Sequence, residues 1–270
     1  MKYLLLSLVI TFAANIPARA DGPDGNWNLV FSDEFNYSGA PDPTKWDYEE
    51  GYVRNKEKQY YTRARLENAR VENGCLVLEC RKEPFETRTG GVAQYTSASL
   101  FPKGSPGWLY GRLEVRAKLP QGNGVWPAVW LLGSNIKRVG WPSCGEIDLM
   151  EFIGRIPDKV YFSLHYRNPS DGKHKQDHFE LVTQTASTDF HTYAFEWFPD
   201  HIDYFFDGVK SRSDKLDQAG TGPTNPFRRP QKLLINFALG GAWSGDVDDS
   251  KLPQQYLVDY VRYYQAKAGP

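Results

Sequence analysis

Segment after segment of this 270-residue chain alternates apolar and polar residues with a period of two. Between positions 109 and 119, Leu109, Leu113, Val115, Ala117 and Leu119 alternate with Tyr110, Arg112, Glu114, Arg116 and Lys118. That spacing belongs to strands with one face in a core, and no long stretch carries the 3.6-residue spacing of an amphipathic helix. Residues 69–79 read as two strands around Asn73-Gly74, a two-residue hairpin turn. Aromatic-rich strands at 193–197 and 202–206 hinge on Pro199-Asp200, and 233–239 and 256–264 repeat the alternation. Glycine and proline collect in loops, notably 102–107, 120–124 and 219–230, and form no repeat. Many strands at short spacing, with no Ser-rich or Pro-rich linker, predict one all-β antiparallel sandwich of the jelly-roll kind. A hydrophobic share of 40% supplies one large core and excludes a disordered chain.

The first 20 residues stand outside this pattern. Lys2 precedes an apolar run over 4–14, followed by Pro17 and the small-x-small end Ala18-Arg19-Ala20. This predicts a secretory signal peptide over 1–20, cut before Asp21, and a single domain over 21–270. The run is about half of the roughly 20 residues that a membrane-spanning helix needs. A secreted or periplasmic location is expected, with no membrane association after cleavage. The remaining 30 basic and 33 acidic residues leave a charge of −3, so nothing draws the chain to nucleic acid or anionic lipid. A monomer is expected. Cys75 and Cys80, five apart on one strand, point to opposite faces, and with Cys144 they fit no zinc spacing. Burial as small apolar side chains is expected for all three.

The chemistry is concentrated in Gly145-Glu146-Ile147-Asp148-Leu149-Met150-Glu151-Phe152. Glu146 and Asp148 share a strand face, with Ile147 turned into the core. Strict alternation would bury Glu151 on the opposite side, and a lone buried carboxylate is costly. One extra residue near Leu149-Met150, a β-bulge, returns Glu151 to the acidic face, and bulges are frequent beside active sites. Three carboxylates on one stripe repel, so folding gives no reason to group them. Glycoside hydrolysis does: it needs one ionised carboxylate and one protonated acid flanking the scissile bond. Neighbouring negative charge keeps the outer acid protonated. On these residues alone, catalysis stands beside an exposed polar strand face and a metal-binding carboxylate cluster.

The string Glu146-Ile147-Asp148-Leu149-Met150-Glu151 resembles the bulged E-x-D-x-x-E signature of glycoside hydrolase family 16. That form is typical of the family's laminarinases, the endo-β-1,3-glucanases, and is shared by its agarases and κ-carrageenases. The resemblance extends through Phe31-Ser32-Asp33-Glu34-Phe35, Gln59-Tyr60-Tyr61-Thr62, Glu67-Asn68-Ala69-Arg70-Val71 and Tyr110-Gly111-Arg112. It continues in Gly124-Val125-Trp126-Pro127-Ala128-Val129-Trp130, His165-Tyr166 and Asn236-Phe237-Ala238-Leu239-Gly240-Gly241-Ala242-Trp243. It implies a concanavalin A-like jelly roll with an open concave cleft, and retaining endo-hydrolysis of β-1,3-glucan without a catalytic cofactor. Glu146 is then the nucleophile, Glu151 the general acid/base and Asp148 the assisting residue, with the two reacting carboxyls roughly 5–5.5 Å apart. The same match gives Asn55, Glu57 and Arg70 hydrogen bonds to sugar hydroxyls. It also gives a structural Ca²⁺ to Glu34, the carbonyl of Gly74 and Asp259, hard oxygen ligands.

Sugar rings present apolar C–H faces, so a glycan cleft needs exposed aromatic side chains. Trp126 and Trp130, four apart across a Pro-Ala break, are assigned to the cleft with Trp141 and Trp243. Phe195, Trp197 and Tyr204 are assigned to the core. His165, on the strand expected beside the acidic one, is placed near Glu151, with a structural role as the alternative. His174 and His178 are read as surface residues of a polar loop. Arg54, Lys56, Lys58, Arg63 and Arg65 read as a solvated loop, or as sulfate contacts for a carrageenan-like substrate.

Two other functions stay open: another family activity, on mixed-linkage glucan, agar or carrageenan, and a non-catalytic carbohydrate-binding lectin. The complete carboxylate triad argues against the lectin, which has no need of it. The chain has neither G-x-S-x-G nor H-E-x-x-H, so serine-hydrolase and zinc-protease chemistry lack support.

Overall fold

A computed structural model describes residues 25–267, and the expected signal peptide over 1–20 lies outside them. The alternating segments pair into two sheets. The ten-stranded sheet runs Val209–Lys215, His201–Phe206, His191–Trp197, Gly111–Lys118, Gln254–Ala266, Cys75–Glu86, Val92–Ser97 and Tyr60–Tyr61. Trp27–Asp33 joins it beside Gln254–Ala266, and Ala69–Glu72 beside Cys75–Glu86. The seven-stranded sheet runs His174–Val182, Lys159–Arg167, Glu146–Glu151, Val125–Gly133, Gln231–Leu239, Ser99–Pro102 and Trp46–Tyr48. Neighbours distant in sequence, such as Val125–Gly133 and Gln231–Leu239, are the crossovers of a jelly-roll sandwich.

Local chemistry explains the turns and the core. Asn73 and Gly74 hold φ of 53° and 77°, the paired positive values of a type I′ turn, and close the hairpin Glu72↔Cys75. Leu113, Val115 and Ala117 of one sheet face a shared core with Val129, Leu131, Phe162, Leu164, Leu233 and Ile235 of the other. Each such side chain contributes roughly 1.5–3 kcal/mol on burial. Phe195, Trp197 and Tyr204 are fully buried there, as expected. Cys80 and Cys144 are buried, Cys75 is half-buried, and all three are free thiols. The two α-helices among the described residues, Ile136–Val139 and Gly241–Ser244, are single turns, and no described helix is long and apolar enough to cross a membrane.

Candidate active site

The acidic strand Glu146–Glu151 lies third from one edge of the seven-stranded sheet, between Val125–Gly133 and Lys159–Arg167. Its entry is fixed by Gly145, whose φ of 77° favours glycine and whose Cβ would stand 2.6 Å from Pro226 Cβ. Against Val125–Gly133 it pairs Glu146↔Leu132, Ile147↔Leu131 and Asp148↔Trp130, then slips to Met150↔Val129 and Glu151↔Ala128. The expected bulge is therefore present, with Leu149 the extra residue. Ile147, Leu149 and Met150 all enter the core fully buried, and Glu151 returns to the face of Glu146 and Asp148. Two apolar side chains are buried where strict alternation would bury one and a carboxylate.

Around the carboxylates lies a cleft of two lobes, about 330 and 690 Å³, that share Asn55, Trp126, Trp141, Glu146 and Glu151. Trp126, Ala128, Trp130 and Leu132 line the smaller lobe at a period of two. The strand runs unbroken through Pro127, so the expected Pro-Ala break does not occur. Tyr161, Ser163 and His165 carry the floor across the next strand, and Gln176, His178 and Glu180 across the edge strand.

Each outer carboxylate accepts one indole N–H: Trp141 Nε1 to Glu146 Oε2 at 3.1 Å, and Trp126 Nε1 to Glu151 Oε1 at 3.1 Å. Trp243 packs edge-on to Trp126 at 5.2 Å and to Tyr161 at 5.0 Å. Burial, then the neighbouring Asp148, pushes Glu146 up to about 8 against the opposing pull of His165, Trp141 and Arg54. Burial and two neighbouring carboxylates push Glu151 well above its usual range, and burial does the same to Asp148. Burial thus raises all three carboxyls, and His165, Trp141 and Arg54 oppose the rise at Glu146.

Several expected roles change. Arg70 lies on Ala69–Glu72 of the other sheet, tied to Glu72 at 2.8 Å and Glu79 at 2.9 Å, and takes no part in the cleft. His165 makes no hydrogen bond or ion pair with Glu151 among the described residues; it pairs with Glu146 across the strands, its Nε2 being 3.2 Å from Asp148 Oδ2 and 3.7 Å from Glu146 Oε1. Trp130 lines the cleft but is no open stacking face: Arg54 sits 4.9 Å over its ring and its Nε1 donates to Asn236 Oδ1 at 2.7 Å. His174 and His178 belong to the strand His174–Val182, not to a loop. At the expected calcium positions, Glu34 is gripped through both oxygens by Arg262 at 3.0 and 2.6 Å, and Asp259 Oδ2 pairs with Arg116 at 2.5 Å, so both carboxylates are already engaged by arginines.

Asn55 and Glu57 line the smaller lobe as expected, Asn55 Nδ2 donating to Glu57 Oε1 at 3.2 Å. Gln59 Nε2 donates to the other Glu57 oxygen at 2.7 Å, and burial raises this carboxyl. Among the cleft residues that the sequence reading gave no role are Asn236 and Arg54. Asn236 is the lone polar residue in the apolar run 233–239 and opens one of the strings that carry the resemblance, but was given no site role. Arg54 was set among solvated basic residues, yet it lines the cleft beside its partner Glu49. Arg63 pairs with Asp47 and Arg65 with Glu83, which leaves Lys56 and Lys58 as the basic residues of this segment outside any ion pair among the described residues.

The model of the family Glycosyl hydrolases family 16 matches residues 56–262. A beta-glucanase from Rhodothermus marinus is 45% identical, over 97% of this chain and 93% of its own length. A glucan endo-1,3-beta-glucosidase from Cryptopygus antarcticus is 33% identical, over 88% of this chain and 92% of its own. The crystal structure of the laminarinase from Rhodothermus marinus superposes with a TM-score of 0.81 at 42% identity, covering 90% of this chain and 98% of that one.

Proposed function

The chain belongs to glycosyl hydrolase family 16, and from that membership and the cleft we propose that it is a retaining endo-β-1,3-glucanase whose catalytic residues are Glu146, Asp148 and Glu151. The observation that carries the proposal is the bulged strand, which turns two carboxylates, each held by an indole N–H, into one open cleft. Glu146, whose ionised form is favoured by His165, the Trp141 N–H and Arg54, attacks the anomeric carbon. Glu151, held protonated by burial and its neighbours, gives its proton to the leaving glycosidic oxygen. Its carboxylate then takes a proton from the water that attacks the glycosyl–Glu146 ester, and the original configuration returns. Asp148, between them, holds Glu146 in position.

An open cleft accepts the middle of a long chain, which supports endo cleavage. Trp126, Trp141 and Trp243 supply the apolar surface for sugar faces. The reaction needs no metal. The leader-like sequence over 1–20 supports export to where polysaccharide is met.

The test is reducing-end release from laminarin, lichenan, agarose and κ-carrageenan, with NMR of the first anomer formed. Laminarin should be cut fastest, in mid-chain, with the β-anomer appearing first. A preference for either galactan, or an α-anomer first, would overturn the reading.

A further inference from the structure

Asp148 Oδ2 is buried and has no hydrogen-bond partner among the described residues, except that His165 Nε2 stands 3.2 Å away. The other nitrogen of that ring, Nδ1, lies 2.9 Å from His174 Nε2. The two imidazole planes differ by only 7°, and their centroids are 5.1 Å apart. That separation is what a 2.9 Å contact leaves when it runs along the line of centres. The rings therefore meet edge to edge in one plane, nitrogen to nitrogen, rather than face on face.

A neutral imidazole carries one N–H, and the partner of one nitrogen decides what the other presents. With the proton on His165 Nδ1, a bare Nε2 lone pair would face a buried carboxylate oxygen, leaving that oxygen unsatisfied. With it on Nε2, Asp148 gains a donor and Nδ1 must accept from His174. Desolvation, with His165 nearby, lowers the pKa of His174, which favours a neutral His174 ring. Trp141 packs 4.6 Å from the His174 ring and limits its rotation.

We propose that His174 is a positioning residue: by donating Nε2–H to His165 Nδ1 it fixes the tautomer in which His165 Nε2–H serves Asp148. The role rests on the reading of Glu146, Asp148 and Glu151 as catalytic. His174 does not touch the reacting atoms; it acts through His165 on the residue between nucleophile and acid.

The test compares His174→Phe, which keeps a ring against Trp141 and removes the donor, with His174→Gln, which restores a donor without the ring. In ¹⁵N-histidine-labelled protein, the His165 signals, identified by their loss in His165→Gln, should report Nε2–H in the wild type and in His174→Gln. His174→Phe should move the proton to Nδ1 or mix the two forms. On laminarin its kcat should fall about tenfold, the order of one hydrogen bond, with KM little changed, and His174→Gln should recover most of that loss. A wild-type His165 protonated on Nδ1, or a tautomer unaltered in His174→Phe, overturns the inference. The tautomer is read without substrate, so this failure is separate from that of the glucanase reading, which fails if Glu146→Gln keeps its turnover.

Discussion

Trp141 donates its indole N–H to Glu146 Oε2 at 3.1 Å while 48% of its own surface stays in solvent. One side chain thus steadies the ionised form of a carboxylate and presents a face to the cleft. The two roles separate by substitution. Trp141→Phe keeps an apolar ring but removes the N–H, which pulls Glu146 down; the Glu146 pKa should rise and the acidic limb of kcat/KM should move to higher pH. Trp141→Ala should do the same and also raise KM about tenfold, since a lost stacking face removes burial and orientation. An unmoved acidic limb in both variants would sever Trp141 from the chemistry.

Glu146→Gln and Glu151→Gln should each lower kcat on laminarin by about 10³-fold or more while the protein stays folded. Glu146→Gln should still bind laminari-oligosaccharides, because Trp126 and Trp243 are untouched. Calorimetric titration alongside turnover measures both, and near-wild-type turnover in either variant would remove the catalytic assignment.

The same carboxylates cost stability. Glu151 is raised in the folded protein above its ordinary value of 4.5, so below that pH both folded and unfolded chains hold the proton and no penalty arises. As pH climbs past 4.5 the unfolded chain releases its proton first, and folding loses about 1.4 kcal/mol for each unit of the rise. Glu151→Gln removes this loss. Its melting temperature should exceed that of the wild type at pH 7–8, and the gap should close toward pH 4. A gap that is constant with pH would mean that burial does not raise Glu151.

Arg63 and Arg65 are already matched by Asp47 and Glu83, and Arg54 by Glu49, which leaves little basic charge for a sulfated chain. Laminarin hydrolysis should therefore change little between low and physiological salt. Trp126→Ala should reduce kcat/KM more than neutralising Lys56 and Lys58 together. Steep inhibition by salt, with the larger loss in the lysine variant, would point to an anionic substrate instead.

The sequence by itself determined the strands, their inward faces and the bulge. Turning Ile147, Leu149 and Met150 into the core and Glu146, Asp148 and Glu151 onto the cleft face is a demand of solvation that any sheet must meet, and it can be read along one strand. The same holds for the Asn73-Gly74 turn, where backbone conformation follows from two adjacent residues. What meets across strands was decided only by the tertiary structure. Arg70 and Arg54 are both basic residues near the first strands, yet the sheet order gives one to Glu72 and Glu79 and lays the other over Trp130. His165 falls opposite Glu146, four residues along its strand from Tyr161, the partner of Glu151, and only the register between the two strands sets that pairing. His174 reaches His165 because the edge strand returns antiparallel after a short turn, a distance that no spacing along the chain encodes. Register and sheet order are sums over many weak contacts between distant segments, and so the partners of each side chain emerge only when the whole sandwich has closed.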